Sequence, residues 1–190
     1  MRGPSAGFEP ATALQDAGLR LRPVEELDFR YSDEIAMVAQ AAFAEHAAQI
    51  RERLPYVEVR HVGGTSVHGL LTAGDVDLQV RVARGKSQHA RTVLQEMYAP
   101  LYPDAWQETA YFYAPAAEPR VEIALTVMGN VDDLLLIESW DRIAAEPALA
   151  DAYNALKRAH EGKPPEAYQA AKRDFFYNTF QLQGTSPSTS

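Results

Sequence analysis

The 190-residue sequence contains no cysteine. Disulfide bonds and thiolate metal sites are therefore excluded, and the reducing cytoplasm is the compartment we expect. Long hydrophobic runs are also missing, since no apolar stretch approaches the roughly 18 residues of a membrane span. The N-terminal stretch MRGPSAGFEPATALQDAG lacks the continuous apolar core of a signal peptide. We therefore expect a cytoplasmic protein without a membrane partner.

Positive charge is scarce as well. The sequence has 18 Lys and Arg residues against 26 Asp and Glu residues, which gives a formal net charge of −8. Sequence-independent binding to a phosphate backbone needs clustered basic residues, so general nucleic-acid binding is disfavoured. The remaining composition, 46% hydrophobic and 23% charged, is that of a globular chain with one sizeable core. A small molecule or a protein is the expected partner.

Hydrophobic periodicity predicts an α+β fold. Residues 1–22 form a loose leader without a sustained period, residues 23–130 form an α/β core, residues 131–182 form a helical section packed on it, and residues 183–190 form a disordered tail. The predicted helices are 32–54, 86–98, 131–145, 147–161 and 165–182, and the predicted strands are 57–62, 75–82, 106–114 and 120–128. The expected architecture is a small mixed sheet with flanking helices.

A glycine pair in the segment VRHVGGTSVHGLLTAGDVDLQVRV indicates a ligand site. Gly63 and Gly64 directly follow a strand, where they permit a tight turn and a close approach to a ligand. Thr65 and Ser66 follow where a short helix would begin, so their hydroxyls and the free backbone N–H groups could hold an anion. The alternative is a simple turn followed by a helix cap.

Two aspartates open the next strand. Asp75 and Asp77 are separated by one residue, so their carboxylates point the same way and could share a hard cation such as Mg²⁺. Glu122 is the acid on the polar face of the predicted strand 120–128, and it would stand beside Asp77 if the two strands pair. Such a set clamps the attacking and departing oxygens of a phosphoryl or nucleotidyl transfer. Alternatively, the charges only form the solvent-exposed face of an edge strand, where they discourage aggregation.

A lysine in the last predicted helix has two interpretations. Tyr168, Lys172 and Phe176 are spaced four apart and form one row on the helix. Lys172 either extends outward from a core stripe or faces a cleft, where it would neutralise nucleotide phosphates. The same two interpretations apply to Lys157 in the preceding helix.

The glycine pair, the spacer of about ten residues, the Asp-Val-Asp-Leu run and the later strand acid together resemble the signature of the nucleotidyltransferase superfamily. That superfamily includes beta-type DNA polymerases, antibiotic nucleotidyltransferases and poly(A) polymerases. Within it, the sequence resembles the GrpB family from about residue 22 onward. VRHVGGTSVHGL is similar to that family's Ile-Glu-His-Ile-Gly-Ser-Thr-Ser-Val-Pro-Gly-Leu, and ALADAYNALKRAH and PPEAYQAAKRDFF are similar to its two C-terminal Tyr-x-x-x-Lys helices.

The resemblance implies a nucleotidyltransferase-like fold and a Mg²⁺- or Mn²⁺-dependent transfer of a nucleoside monophosphate from a nucleoside triphosphate. The acceptor would be a hydroxyl of an unspecified small molecule or macromolecule. The implied metal ligands and catalytic residues are Asp75, Asp77 and Glu122, and the implied nucleotide contacts are Gly63, Gly64, Thr65, Ser66 and Lys172.

Three departures from the family pattern stand out. His68 replaces the usual proline, the spacer is two residues shorter and lacks the customary Lys-Pro before Asp75, and Glu122 lies where many members carry a histidine-rich strand. His61 shares its position with a family histidine and could orient the turn. The missing lysine leaves a second function class open, a catalytically inactive nucleotide-binding or protein-interaction module.

Overall fold

The structure is a computed structural model that describes residues 27–180. The predicted leader, 1–22, and the predicted tail, 183–190, lie outside the described residues. The described strands are β1 (Arg30–Tyr31), β2 (Glu58–Val62), β3 (Leu71–Thr72), β4 (Val76–Val82), β5 (Ala99–Leu101), β6 (Ala110–Ala114) and β7 (Val121–Val127). The described helices are α1 (Ala36–Arg53), α2 (Ser87–Met97), α3 (Val131–Ala145), α4 (Pro147–Arg158) and α5 (Pro165–Thr179).

Five strands form one mixed sheet in the order β2-β4-β7-β6-β5. The central pair β4 and β7 is parallel, and the other neighbours are antiparallel. The register places Asp77 opposite Glu122 in the central pair. Strands β1 and β3 form a separate two-stranded sheet. The predicted α+β architecture, a small mixed sheet with flanking helices, is confirmed.

One face of the central strands forms the main core. The alternating apolar residues of β4 and β7 are all buried, and all but Val127 belong to one core cluster with apolar residues of α1 and α2. These cluster members are Val76, Leu78, Val80, Val82, Val121, Ile123 and Leu125. Full burial of one such side chain stabilises a fold by about 1.5–3 kcal/mol. This alternation fixes which residues of β4 face away from the core.

The opposite face of β4 and β7 carries a buried polar network beneath the start of α3. Gln79 is fully buried and donates to Thr126 Oγ1 at 3.1 Å and to Asp133 Oδ1 at 3.0 Å. Arg81 donates to both oxygens of Asp133, at 2.8 and 3.0 Å. Helix α3 covers this part of the face. The acids lie at the N-terminal end of the same two strands, before the network begins.

The C-terminal helices pack around aromatic residues. Tyr153 of α4 is 1% exposed and lies in a cluster with Val67, Leu70 and Ile143. Asn154 connects α4 to the segment before β4 by two hydrogen bonds. Its side chain accepts from the Leu71 N–H at 2.7 Å and donates to the Gly69 carbonyl. Helix α4 is thereby fixed next to the glycine turn.

Four predicted boundaries differ from the structure by three residues or more. The helix predicted for 147–161 ends at Arg158, and the helix predicted for 165–182 ends at Thr179. The predicted strand 106–114 begins only at Ala110, since a short 3₁₀ turn precedes it and the Trp106 indole donates to the Leu101 carbonyl at 2.9 Å. The helix predicted for 32–54 starts with a 3₁₀ turn, Ser32–Ile35, before α1. Among the described residues, no helix has the length and apolarity needed to cross a bilayer.

Candidate functional site

Gly63 directly follows β2 and has a backbone conformation that favours glycine. Its φ is 82°, in the region that side-chain-bearing residues rarely adopt. A Cβ atom added to Gly63 would lie 1.9 Å from Asp77 Oδ2, so the carboxyl group of Asp77 packs directly against this glycine. The glycine is therefore needed for its backbone conformation and for the close approach of an acid.

The second glycine, Gly64, lies next to the ammonium group of Lys157. A Cβ added to Gly64 would lie 3.2 Å from Thr72 Oγ1 and 3.3 Å from Lys157 Nζ. The two consecutive glycines therefore pack against an aspartate carboxyl group and a lysine ammonium group, respectively. The predicted site lies between groups of opposite charge.

The hydroxyls of the turn fix its conformation. Residues Gly64–Ser66 form a single 3₁₀ turn, in which Ser66 Oγ donates to the Gly63 carbonyl at 2.8 Å. Thr65 Oγ1 donates to the carbonyl of Asp75 at 3.1 Å. Because both hydroxyl protons are used inside the protein, an anion at this turn would be held by backbone N–H groups.

His61 contacts the glycine turn through the hydroxyl of Thr65. Its Nε2 lies 3.0 Å from Thr65 Oγ1, and its ring stacks on Phe43 with centroids 5.0 Å apart. A hydroxyl has one proton, and that of Thr65 goes to Asp75, so His61 Nε2 is the donor of the pair. Burial lowers the pKa of His61 to about 4, which keeps the ring neutral at pH 7. His61 therefore positions Thr65, which in turn positions the backbone of Asp75.

The two aspartates lie at the start of β4, and Asp77 is directly opposite Glu122 on the parallel neighbour. Adjacent strands are about 4.8 Å apart, so the two side chains are neighbours. Within the described residues, neither the Asp75 nor the Asp77 carboxylate accepts a hydrogen bond. Burial, followed by the charges of Glu122 and Asp75, raises the pKa of Asp77 well above its usual range. The charges of Lys172 and Lys157 oppose this shift, so nearby positive charge compensates the acid only in part.

Glu122 has a partner that the sequence interpretation did not include. Arg120 Nη2 lies 2.5 Å from Glu122 Oε1, and the same guanidinium donates to the Tyr102 hydroxyl at 3.2 Å. Burial raises the pKa of Glu122, and the charge of Arg120 opposes the shift. The i, i+2 spacing of Arg120 and Glu122 on one strand face is the sequence signal for this pair. In the part of the chain that the structure describes, no group of three or more His, Cys, Asp or Glu side chains could hold a metal ion.

Two lysines accompany the turn and the acids: Lys157 lies next to Gly64, and the charge of Lys172 acts on the acids. Lys157 is 3% exposed, and its Nζ donates to the Leu71 carbonyl and lies 4.2 Å from the centroid of the Tyr153 ring. Lys172 is half-buried, and its charge lowers the pKa of both Asp77 and Glu122. The ammonium group of Lys172 is thus within electrostatic range of the acids.

A cavity of about 330 Å³ borders the acidic cluster. It lies between the start of α1 and the loops on either side of the cluster, and it is lined by apolar side chains and by charged ones. The lining residues nearest the acids are Gly74, Asp75 and Arg120, and those on the other side include Arg30, Val38 and Ala39. A pocket of this size suits a small ligand or part of a larger one.

The donor set fits a hard divalent cation. Asp75 and Asp77 offer carboxylate oxygens to which no described residue donates a hydrogen bond, and oxygen ligands are those that Mg²⁺ and Mn²⁺ prefer. Burial first, and then the charges of Glu122 and Asp75, raise the pKa of Asp77, and a bound cation would oppose this shift. Glu122 could join these two residues only if Arg120 released it.

The mixed sheet, its carboxylate cluster and its glycine turn define an α+β domain with an acidic cleft. A sequence profile described as GrpB protein matches residues 37–181, which is most of the chain and includes every candidate site residue. The chain therefore belongs to the GrpB family.

Two known proteins support this assignment. The chain is 22% identical over 152 residues to a UPF0157 protein of Vibrio cholerae serotype O1, with 80% of each sequence covered. It also superimposes on the crystal structure of the conserved protein GrpB from Enterococcus faecalis with a TM-score of 0.58 and 17% identity, covering 80% of this chain and 92% of that one. At that identity the structural likeness establishes a shared fold.

Proposed function

We propose that this GrpB-family protein is a nucleotidyltransferase that moves a nucleoside monophosphate from a nucleoside triphosphate to a hydroxyl of an acceptor. The observation that carries the proposal is the contact between the Asp77 carboxyl group and Gly63, in register with Glu122 and, among residues 27–180, without a hydrogen-bond donor. Buried carboxylates beside a glycine turn that nearby cations compensate only in part favour a divalent cation together with a phosphate ligand.

Each part of the site has a role in this proposal. Asp75 and Asp77 hold Mg²⁺ or Mn²⁺, and Glu122 assists once Arg120 is released. When bound there, the metal supplies positive charge for the phosphates and for the reacting oxygens. The backbone of the Gly64 turn holds phosphate oxygens, and Lys172 neutralises their charge. The reaction needs little more from the protein than positioning and charge neutralisation.

The cavity beside Asp75 is the proposed acceptor site. It borders the aspartates through Gly74 and Asp75, so a hydroxyl bound in it would lie next to the metal ligands. Its lining includes apolar residues such as Ala39 and the guanidinium groups of Arg30 and Arg120. An acceptor with an apolar body and at least one anionic or hydrogen-bond-accepting group is the chemistry that this lining favours.

A specific observation also supports a second candidate, a catalytically inactive nucleotide-binding or protein-interaction module. Arg120 already forms an ion pair with Glu122, with Nη2 2.5 Å from Oε1. Within residues 27–180, no three acids are grouped so that they could hold a metal. In this version a nucleotide would bind at the glycine turn without transfer.

The experiment uses the full-length protein with Mg²⁺, each α-labelled nucleoside triphosphate and a pool of small-molecule and macromolecular acceptors. The readouts are pyrophosphate release and the mass of a nucleoside monophosphate added to an acceptor. Transfer should be lost in Asp75→Asn/Asp77→Asn and kept in Asp151→Asn, which changes an exposed acid on α4. Nucleotide binding that is independent of metal, without transfer to any acceptor, would favour the second candidate.

A further inference from the structure

Arg120 lies between the acidic cluster and the cavity. It directly precedes β7, its Nη2 lies 2.5 Å from Glu122 Oε1, and it lines the cavity together with Asp75. The side chains of Arg120 and Glu122 are 22% and 28% exposed, so their ion pair is partly shielded from water and still accessible. One guanidinium therefore contacts a candidate metal ligand and also borders the proposed acceptor site.

Tyr102 holds this ion pair in place. Its hydroxyl accepts from Arg120 Nη2 at 3.2 Å and donates to Glu122 Oε1 at 3.5 Å, so the three side chains contact one another. Among the described residues, Tyr102 is the non-glycine residue with a positive φ, which is 49°. A bulky side chain in this region is strained, and strain of this kind is common at functional sites. The strained turn after β5 therefore brings a hydroxyl group to the Arg120–Glu122 pair.

The ion pair competes with a metal for Glu122. Oε1 already accepts from a guanidinium and a hydroxyl, and a second cation at the same oxygen would be repelled by the first. The register nevertheless places Glu122 directly opposite Asp77. Within residues 27–180, no three acids are grouped so that they could hold a metal. Release of Arg120 is therefore the change that would add Glu122 to the pair formed by Asp75 and Asp77.

The cavity can offer Arg120 a second anionic partner. Within residues 27–180, both side-chain hydrogen bonds of Arg120 start from Nη2, and a guanidinium has further N–H donors on Nε and Nη1. Arg30 adds a second positive charge to the cavity lining, which also contains the acids Asp75 and Glu118. A cation bound by Asp75 would leave the arginines in excess. Guanidinium groups pair with planar carboxylates in a bidentate manner, and the rest of the lining is mostly apolar.

We propose that Arg120 couples the acceptor to the metal: a carboxylate of the acceptor draws Arg120 away from Glu122, and Glu122 then joins Asp75 and Asp77 as a ligand. The metal and the acceptor in this inference rest on the proposed function. The acceptor is a hydroxy compound with an apolar body and a carboxylate group. Arg120 is a positioning residue, and Tyr102 keeps it at Glu122 until the acceptor binds. Because coupling is reciprocal, the metal favours the carboxylate by the same factor as the carboxylate favours the metal.

The first test is a Mn²⁺ titration of the full-length protein, followed by electron paramagnetic resonance without nucleotide or acceptor. Arg120→Met should bind Mn²⁺ at least about fivefold more tightly than wild type, because Glu122 becomes available. Tyr102→Phe should shift the affinity in the same direction by a smaller factor, and it serves as the second variant should Arg120→Met fail to fold. Arg142→Met is the matched control, since it removes an exposed Arg–Glu pair with Glu146 on α3 and should leave the affinity unchanged.

A double-mutant comparison separates the release of Glu122 from the loss of a nearby positive charge. That loss acts on the aspartates whether or not Glu122 is present. The gain caused by Arg120→Met should therefore fall below about twofold when it is measured in the Glu122→Gln background. Equal gains in the two backgrounds would overturn the inference.

The second test uses sodium benzoate as the carboxylate probe and benzamide as its uncharged equivalent. Benzoate should raise the Mn²⁺ affinity of wild type and leave that of Arg120→Met unchanged, whereas benzamide should change neither. A wild-type affinity that does not respond to benzoate, or an equal response in Arg120→Met, would overturn the coupling.

Failure of this inference and failure of the proposed function give different results. Mn²⁺ binding by wild type with equal affinity in Arg120→Met would overturn the coupling and leave the metal site and the transfer reaction. A gain that depends on Glu122, together with a benzoate response but no nucleotidyl transfer to any acceptor, would keep the coupling and refute the enzyme. Absence of Mn²⁺ binding in wild type and in Arg120→Met would overturn both.

Discussion

At the scale of single residues, the glycine pair is the feature on which the site depends. Gly63 meets two constraints at once, a φ of 82° and an Asp77 oxygen 1.9 Å from its potential Cβ. The sequence predicted a tight turn and a close approach to a ligand here. The close approach of an Asp77 carboxyl group was not predictable, because it depends on the register between β2 and β4.

Replacing Gly63 by alanine should destabilise the fold by about 3 kcal/mol, since the backbone strain and the overlap with Asp77 add together. Gly69→Ala is the matched control, because Gly69 has a φ of 72° and nothing within 4 Å of its potential Cβ. This control should cost only the backbone strain, about 1 kcal/mol. Urea unfolding measures both, and equal losses would contradict the packing of Asp77 on Gly63.

Asp77 itself should lower stability at neutral pH. Its folded-state pKa is raised, so the native state holds this proton more tightly than the unfolded state does. Stability is therefore lost as the pH rises from the unfolded pKa near 3.8 through the folded value, and the penalty is present above it. Asp77→Asn should raise the free energy of unfolding at pH 8 by at least about 1 kcal/mol, with a smaller gain at pH 5.

Thermal and urea unfolding at the two pH values measure this effect, with Asp151→Asn as the exposed control. An Asp77→Asn variant that is less stable than wild type at pH 8 would contradict the account. A more stable variant that has lost metal binding would be the expected trade-off between stability and function.

At the scale of secondary-structure elements, alternation along β4 and β7 gave the buried face correctly, along with strand bounds within one residue of those observed. It also placed Asp75 and Asp77 on one face, which by the same alternation is the face of Gln79. Alternation does not reveal what covers a face, and for this reason the polar network under α3 was not predicted. Gln79 lies in a fully buried position, whereas Asp75, four residues earlier, lines a cavity.

Asp133 should be essential to this network. Its carboxylate accepts from Arg81, Gln79, Thr126 and the Gly129 N–H, and its side chain is fully buried. Asp133→Ala leaves these donors unpaired and should cost about 3–5 kcal/mol.

The control for Asp133 is Asp141→Ala, which removes an ion pair with Arg60 in which the acid is 57% exposed. That change should cost less than about 1 kcal/mol. Urea unfolding compares the two variants, and a loss for Asp133→Ala as small as that of the control would show that the network is not a main support of the sheet.

At the scale of the whole molecule, composition and pattern predicted the fold class, and the GrpB family match agrees with the resemblance of the glycine and aspartate motifs. The strand order was not predictable, since β5 contains a proline and has only three residues. The approach of α4 to the glycine turn was equally hidden, because the Asn154 contact with Leu71 spans 83 residues of sequence.

The cavity beside Asp75 arises from this assembly and allows a prediction about the acceptor. Val38 lines it but is 55% exposed, so Val38→Trp should fill the cavity and change stability by less than about 0.5 kcal/mol. We expect a higher KM for the acceptor and an unchanged affinity for the nucleotide. Ala48→Trp, at an exposed position of α1 outside the cavity, is the control. Equal acceptor kinetics in the two variants would place the acceptor elsewhere.

The central claim is that Asp75 and Asp77 hold a divalent cation at the glycine turn, and Mn²⁺ binding followed by electron paramagnetic resonance tests it most directly. Titrations in the presence of a nucleoside triphosphate would compare wild type, Asp75→Asn/Asp77→Asn and the exposed control Asp151→Asn. We predict bound Mn²⁺ in wild type and the control, and none in the double variant. Equal Mn²⁺ binding by all three proteins would contradict the account.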